Sequence, residues 1–223
     1  MLFYIAFWFY IALIIVKFSI ALLFFRIYQN SKQNKLVLGA ALLFLSYGIA
    51  RIIMVVFDFS LTKFDSSVYQ TYAILWKIGF LINCIGFLCL IFISERAILK
   101  KRSKYAITLF YFIFIIISII PPDIQLVQLI SIIPSALAMI FVPLTYLYLA
   151  RYDTIRKRAL AIFAGYVFFF MGATFLTEDL VQIFISINPN QSLSIRSLIH
   201  IVSVILKITG IMFMVFGYRK KLV

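Results

Sequence analysis

The chain alternates long apolar runs with short polar loops. Seven such runs are separated by loops whose longest polar stretches have roughly a dozen residues. An α-helix rises about 1.5 Å per residue, so about 20 apolar residues cross a hydrocarbon core about 30 Å thick. The pattern therefore predicts seven transmembrane helices. Their predicted segments are residues 2–25, 36–57, 70–95, 105–120, 124–150, 159–178 and 196–218.

Composition agrees with a membrane protein. Hydrophobic residues make up 65% of the chain and charged residues only 13%, whereas a soluble domain carries about 25% charged residues. A small soluble domain also leaves much of its surface in water and could not hide this apolar excess. We predict an all-α polytopic bundle, in which residues 1–223 form a single transmembrane domain. The first run lacks a basic start and a small-residue cleavage site, so we interpret it as a helix rather than a signal peptide.

Charge asymmetry predicts the orientation. The loops after the first, third, fifth and seventh segments carry most of the 21 Lys and Arg residues, against the acids Glu95 and Asp153. The opposite loops carry Lys63 and Arg196 against five acids. Short loops rich in Lys and Arg stay in the cytoplasm. We therefore expect the N-terminus outside and the C-terminus in the cytoplasm, in a cell membrane. The net charge of +14 then faces anionic lipids at the cytoplasmic surface, and we exclude nucleic acid as a partner.

Four basic residues fall inside the apolar segments: Lys17, Arg51, Lys77 and Lys207. A charge at the bilayer centre is costly, so such residues usually face the interior of a bundle. Lys17 lies in the inner half of its segment, where a lysine can extend to the interface. We expect it to reach the cytoplasmic surface in this way.

The seventh segment carries a polar stripe. Arg196, His200, Ser203 and Lys207 are spaced i, i+4, i+7 and i+11, which places them on one face at about 100° per residue. The stripe runs from the outer end of the segment to mid-membrane. It either lines an interior polar cavity or bonds neighbouring helices.

Other segments offer polar residues to the same region. The aligned sets are Tyr47, Arg51 and Asp58; Gln70, Lys77 and Cys84; Gln128, Ser131 and Ser135; and Thr174, Glu178 and Gln182. One interpretation is an ion-paired cluster, in which Asp58, Glu178 or Asp179 neutralises Arg51 and Lys77. The other is an outward-facing ligand pocket with surplus positive charge. The candidate ligand-binding residues are Arg51, Lys77, Glu178, Arg196, His200, Ser203 and Lys207.

Two glycine pairs have a spacing of seven residues. Gly79 and Gly86 form one pair, and Gly165 and Gly172 form the other. Small residues at this spacing lie on one helix face and let two backbones approach closely. We predict that both pairs mark close helix packing.

Two families with seven transmembrane helices invite comparison. Lys207 lies in the middle of the last segment, and in this respect the chain resembles the microbial rhodopsins, which carry retinal on such a lysine. That family also needs a carboxylate on the third helix, and the third segment, TYAILWKIGFLINCIGFLCLIF, contains none. Glu95-Arg96 resembles the acid–arginine pair of G-protein-coupled receptors, but the seventh segment has no N-P-x-x-Y. We assign neither family, and we predict no cofactor.

No catalytic signature is present in the sequence. The single histidine excludes H-E-x-x-H zinc sites, and neither a G-x-S-x-G elbow nor a glycine-rich phosphate loop occurs. We therefore predict no catalytic or metal site, and no enzyme. The leading hypothesis is a receptor-like sensor that binds a small, anionic ligand in an outward-facing cavity and contacts a cytoplasmic partner protein. The alternative is a small transporter or channel. Lesser alternatives are a structural membrane subunit and a photoreceptor with retinal on Lys207.

Overall fold

The chain forms a bundle of helices. The computed structural model describes residues 1–30, 34–99 and 103–219, and this part of the chain contains no strand. The α-helices are α1 (Leu2–Asn30), α2 (Lys35–Val55), α3 (Ala73–Ala97), α4 (Ala106–Ile119), α5 (Ile124–Leu149), α6 (Arg156–Thr174), α7 (Glu178–Ile187) and α8 (Ser192–Tyr218). A π-helical turn, Val56–Leu61, extends α2, and short 3-10 helices precede α3 and α8. The basic loop residues Lys32, Lys100, Lys101, Arg102, Lys220 and Lys221 lie outside the described residues.

Six stretches are long and apolar enough to cross a membrane. They are Leu2–Asn30, Lys35–Leu61, Ser67–Ala97, Ile124–Leu149, Arg156–Thr174 and Pro189–Tyr218. They correspond to six of the seven predicted segments and are compatible with a multi-pass membrane protein. The remaining segment, α4, is apolar but has 14 residues, which extend about 21 Å. The seventh span and the orientation therefore stay predictions.

The sixth predicted segment was extended too far. Residues 159–178 were expected in one helix, but α6 ends at Thr174 and Glu178 begins the separate helix α7. The backbone of Thr177 is extended, with φ −67° and ψ 136°, which interrupts the helical hydrogen bonding. As a result, the amphipathic α7 can take its own direction and pack against α8.

Helices α6 and α8 pack backbone against backbone. A Cβ atom at Gly210 of α8 would lie 2.5 Å from the carbonyl oxygen of Gly165, and one at Gly172 of α6 would lie 2.7 Å from the carbonyl oxygen of Ser203. Real Cβ atoms do not approach a backbone oxygen so closely. Both positions therefore require glycine, which confirms the close packing predicted from the spacing of Gly165 and Gly172.

The other glycine pair packs α3 against α2. A Cβ at Gly86 would lie 3.3 Å from the Cα and the carbonyl oxygen of Leu43, and one at Gly79 would meet the flexible end of Met54. The predicted close contact at Gly79 and Gly86 is therefore also confirmed. Helix α1 lies against both α2 and α8, so α1, α2, α6 and α8 enclose the centre of the bundle.

Glu95 joins α3 to α4. Its buried carboxylate accepts hydrogen bonds from the Ser103 hydroxyl at 2.6 Å, the Ile107 amide at 3.2 Å and the Thr108 amide at 2.8 Å, and from the Thr108 hydroxyl. The first amides of a helix have no partner within that helix, and a carboxylate at this end is favourable. Glu95 therefore caps the start of α4, which accounts for the acid that resembled a receptor motif.

The packing of α6 against α8 can be tested at Gly210. In Gly210→Ala the added methyl would meet the Gly165 carbonyl oxygen at 2.5 Å and the Phe169 amide nitrogen at 2.8 Å, so the helices must separate. We expect a loss of about 1–3 kcal/mol in unfolding free energy, measured as a lower Tm in detergent. Gly79→Ala is the matched control, because its methyl would meet the Met54 side chain and alanine is about 1 kcal/mol better than glycine in a helix. An equal response of both variants would contradict this account.

Candidate functional site

The polar stripe of α8 faces the interior of the bundle. Arg196, His200, Ser203 and Lys207 are all buried, and Lys207 in the middle of the helix is only 4% exposed. Since α8 packs against α6, α1 and α7, these helices supply the surroundings of the stripe. The prediction that the four residues share an interior face is confirmed.

At the N-terminal end of the stripe, Arg196 binds Glu178. The two guanidinium nitrogens donate to the two carboxylate oxygens at 3.0 and 2.5 Å, a bidentate geometry that is stronger than a single contact. Gln182 also donates to this carboxylate, at 2.6 Å. The pair therefore fastens α7 onto α8. Thr174, which was expected on the same face, is exposed and bonds the Phe170 carbonyl of its own helix.

His200 lies in an aromatic pocket. Its ring centroid is 5.3 Å from Tyr10, 4.6 Å from Phe64 and 6.2 Å from Phe59. Phe64 reaches this position because Lys63 and Phe64 adopt positive φ angles of 48° and 65°, which reverse the chain after the π-helical turn. Within the described residues, the buried Nδ1 atom of His200 has no hydrogen-bond partner.

Lys17 lies deep in the bundle, contrary to expectation. Its side chain is buried, with the residue 3% exposed, and its ammonium donates to the Tyr47 carbonyl at 3.3 Å and lies 5.0 Å from the centre of the Tyr47 ring. The prediction that Lys17 extends to the cytoplasmic interface was therefore wrong. A carbonyl and an aromatic face inside the bundle offer this lysine partners.

Ser203 and Lys207 meet α6 at Gly172. The Ser203 hydroxyl donates to the Gly172 carbonyl at 2.5 Å. Gly172 is in the last turn of α6, where carbonyls lack partners further along the helix, so Ser203 has a helix-bonding role. The Lys207 chain passes beside Gly172, 3.0 Å from where a Cβ would lie. Among the residues that the structure describes, no hydrogen bond or ion pair to the Lys207 ammonium is found.

Arg51 connects α2 to this region. Its guanidinium lies 3.9 Å from the Asp58 carboxylate and 4.5 Å from the centre of the Tyr10 ring. Asp58 sits in the π-helical turn that follows α2. Of the three acids that the ion-paired interpretation offered, Asp58 is the one beside Arg51. The long separation makes this ion pair weaker than the one between Arg196 and Glu178.

These residues form a group that we call the cationic cluster: Lys17, Arg51, Asp58, Glu178, Arg196, His200, Ser203 and Lys207. It holds four basic side chains and two carboxylates. Both carboxylates are engaged by arginines, so Lys17 and Lys207 have no carboxylate partner among the described residues. Arg51, Lys17 and Asp58 all lie near enough to Lys207 to interact with it electrostatically. Basic side chains therefore outnumber acidic ones at the centre of the cluster.

Lys77 is placed elsewhere. Its ammonium donates to the Ile119 carbonyl at 3.3 Å and to the Pro121 carbonyl. Gln70, seven residues before it, holds the same loop through the Pro122 carbonyl and the Ile124 amide, each at 3.1 Å. The expectation that an acid neutralises Lys77 was wrong, because backbone carbonyls at the turn between α4 and α5 take that role.

The polar residues of α5 also stay outside the cluster. Ser131 donates to the Gln128 carbonyl of its own helix at 2.7 Å, and α5 packs against α3, α4 and α6. A groove of about 510 Å³ between α5 and α6 is lined by apolar side chains such as Pro143, Phe163 and Met171. It lies apart from the cationic cluster.

Three residues of this region were missed as site residues by sequence reasoning. Lys17 and Tyr10 are seven apart and share a face of α1, a signal that was present in the sequence. The Tyr47 carbonyl as a partner of Lys17 had no signal, because the contact joins different helices. Within residues 1–30, 34–99 and 103–219, no group of three or more His, Cys, Asp or Glu could hold a metal ion.

Comparison with known proteins assigns no family. No family model matches the chain, and neither the curated proteins nor the solved structures give a significant match. The chemistry of the cationic cluster therefore has to be argued from its own geometry.

The ion pair between Arg196 and Glu178 makes stability depend on pH. Burial raises the pKa of Glu178. The hydrogen bonds and the charge of Arg196 lower it by a larger amount, so the pKa lies below its usual value. A carboxylate with a depressed pKa stabilises the fold above its unfolded pKa, and this contribution is lost as the pH falls through the folded pKa.

We expect Glu178→Gln to lower the Tm at neutral pH by about 2–4 °C, equivalent to about 1 kcal/mol for this partly exposed pair. The variant should also lose part of the fall in Tm that the wild type shows below about pH 4.3. Thermal unfolding in detergent across pH 3–7 measures both effects. Asp179→Asn is the control, since Asp179 is exposed beside Glu178. The same pH profile in both variants would disprove the role of the pair.

Proposed function

We propose that this protein is a multi-pass sensor of the cell membrane that binds a small anion in the cationic cluster. The observation that carries the proposal is the burial of Lys17 and Lys207 without a carboxylate partner. It is not an enzyme in this proposal, and a cytoplasmic partner protein transmits its signal.

The physical argument concerns uncompensated charge. Buried charges are normally paired, because removing an isolated ion from water costs several kcal/mol. Arg51 and Arg196 are each paired with an acid. Lys17 contacts the Tyr47 carbonyl and the Tyr47 ring instead, and Lys207 lies near enough to Lys17 for the two to interact electrostatically. An anion bound between the lysines would supply the missing charge, and its binding energy would include relief of the repulsion.

The geometry favours a small ligand. The rings of Tyr10 and Tyr47 cover Arg51 and Lys17, and Lys207 is confined by the close packing at Gly172. These contacts surround the lysines closely, so a ligand between them would have to be as small as a carboxylate, a phosphate or a halide. In the proposed orientation, the Arg196–Glu178 pair and α7 lie on the outer side of the cluster.

The half of the bundle beyond Lys207, towards the C-terminal end of α8, favours sensing over transport. Beyond Lys207, the buried residues of α8 are Gly210, Ile211, Met214, Gly217 and Tyr218. Phe24 contacts both Phe44 and Tyr218, and Phe44 contacts Phe169. These aromatic contacts close the bundle between the cluster and the basic end. A transporter needs access from both sides, and the aromatic packing below Lys207 supports a site that is not open to both.

The orientation in this proposal places α7 outside the cell and the turn between α5 and α6 in the cytoplasm. Asn190 and Asp153 are exposed at these two ends. In intact cells we expect a membrane-impermeant maleimide to label Asn190→Cys and not Asp153→Cys, with wild type reporting the background from Cys84 and Cys89. Both variants should be labelled after permeabilisation. The reverse labelling in intact cells would overturn the orientation.

Anion binding can be measured by thermal stability. Purified protein in detergent is screened with chloride, phosphate, sulfate and short mono- and dicarboxylates at constant ionic strength. We expect at least one anion to raise the Tm, because a ligand that binds the folded state at about 100 times its Kd contributes about 2.7 kcal/mol. The increase should disappear in Lys207→Met and Lys17→Met.

Lys77→Met is the matched control, because it removes the same charge from a lysine that binds the α4–α5 turn. It should keep the anion-dependent increase even if its own Tm is lower. If no anion stabilises the wild type more than Lys207→Met, the proposed site is wrong. Flux of the stabilising anion into liposomes containing the protein would instead assign the cluster to a transport path.

A further inference from the structure

A second groove lies between the end of α5 and the start of α6. This is the end of the bundle where the loops carry most of the Lys and Arg residues. It has a volume of about 470 Å³ and is lined by Leu147, Ala150, Arg151, Arg156 and Leu160. The cationic cluster involves neither α5 nor this turn, so the groove is a separate feature of the molecule.

The two arginines of the groove are available to a ligand. Arg156 approaches Asp153 only at 4.0 Å, with the side chains 63% and 95% exposed, and such a surface pair contributes little. The Arg151 guanidinium lies 5.1 Å from the centre of the Tyr148 ring, which orients the side chain but leaves its donors free. Among the described residues that line the groove, none is a carboxylate.

The walls of the groove are apolar and face outwards. Leu147 on α5 and Leu160 on α6 are 42% and 38% exposed, and both helices are long and apolar enough to cross a membrane. Leu147 lies two residues before the end of α5 at Leu149, and Leu160 lies four residues after the start of α6 at Arg156. At such helix ends a bilayer passes from acyl chains to headgroups. The groove therefore places two cations beside an apolar surface that an acyl chain could contact.

We propose that this groove is a binding site for an anionic phospholipid. Arg151 and Arg156 bind the phosphate and the anionic headgroup, since guanidinium groups match phosphate oxygens in bidentate fashion. Leu147 and Leu160 pack against the first methylenes of an acyl chain. Inorganic phosphate would use the arginines but not the leucines, so the combination favours a lipid over a free anion.

The site can be tested by lipid titration of the purified, delipidated protein, read by native mass spectrometry. Dioleoyl phosphatidylglycerol is the anionic probe and dioleoyl phosphatidylcholine the zwitterionic one. We expect the wild type to bind the anionic lipid at least about tenfold more tightly, because two arginines near the headgroup each strengthen binding several-fold. In Arg151→Gln/Arg156→Gln this preference should fall by about tenfold or more.

Arg26→Gln/Lys35→Gln is the matched control. It removes two charges from exposed residues at the same end of the bundle, between α1 and α2, and should keep the preference within about threefold. If both double variants lost the preference for the anionic lipid equally, general surface charge would explain the binding, and the proposal would be overturned. Displacement of the lipid by millimolar inorganic phosphate would do the same, because the site would then be an anion site.

The contribution of the leucine walls can be tested separately from that of the arginines. Leu147→Ser/Leu160→Ser keeps both arginines and should weaken dioleoyl phosphatidylglycerol more than its dihexanoyl analogue, since the short chains bury less of the wall. Equal weakening of both lipids would contradict the acyl-chain contact. If the arginine double variant does not fold, as judged by size-exclusion chromatography, Arg151→Gln alone carries the same comparison. Anion stabilisation through Lys207 should persist in these variants, so failure of one proposal is distinguishable from failure of the other.

Discussion

The close approach of α6 and α8 is the constraint on which the centre of this bundle depends. Between two apolar helices in a bilayer, the hydrophobic effect offers little, and association relies on packing and interhelical hydrogen bonds. Gly165, Gly172 and Gly210 bring the two backbones together. The hydroxyl of Ser203 can then reach the last turn of α6, and Lys207 is held beside it, facing inwards. A larger residue at these glycines would move the lysine as well as the helix.

That packing imposes an electrostatic problem on the molecule. The interior faces of α1, α2 and α8 each carry a cation into a region from which water is largely excluded, where charges interact strongly. Local contacts offset part of the free-energy cost of burying these side chains. Asp58 lies beside Arg51, Glu178 binds Arg196, and the rings of Tyr10 and Tyr47 cover Arg51 and Lys17. Lys17 and Lys207 remain at the centre with no acidic partner among the described residues. The proposed anion site rests on this imbalance rather than on the shape of a cavity.

The two ends of the bundle use different chemistry for the same purpose of joining helices. At the end with α7, ion pairs and side chains bonded to carbonyls hold the loops, as at Glu178 and Lys77. At the other end, Glu95 caps α4, and the hydroxyls of Tyr146, Tyr166 and Tyr218 form a buried group. Polar interactions are strong where water is scarce, so a few of them position each connection. The exposed arginines between α5 and α6 belong to neither set, which leaves them free for a ligand.

The sequence by itself determined the apolar segments, the glycine contacts and the interior face of α8, because these follow from length, small side chains and the helical period. It also named Asp58 among three candidate acids for Arg51, and the structure selected that one. Only the tertiary structure decided which partner each remaining cation has. Lys17 turned inwards to the Tyr47 carbonyl, Lys77 bound a loop, and α7 separated from α6 to meet Arg196. The physical reason is that periodicity reports the face on which a residue lies, whereas its partner is set by contacts between helices distant in the chain.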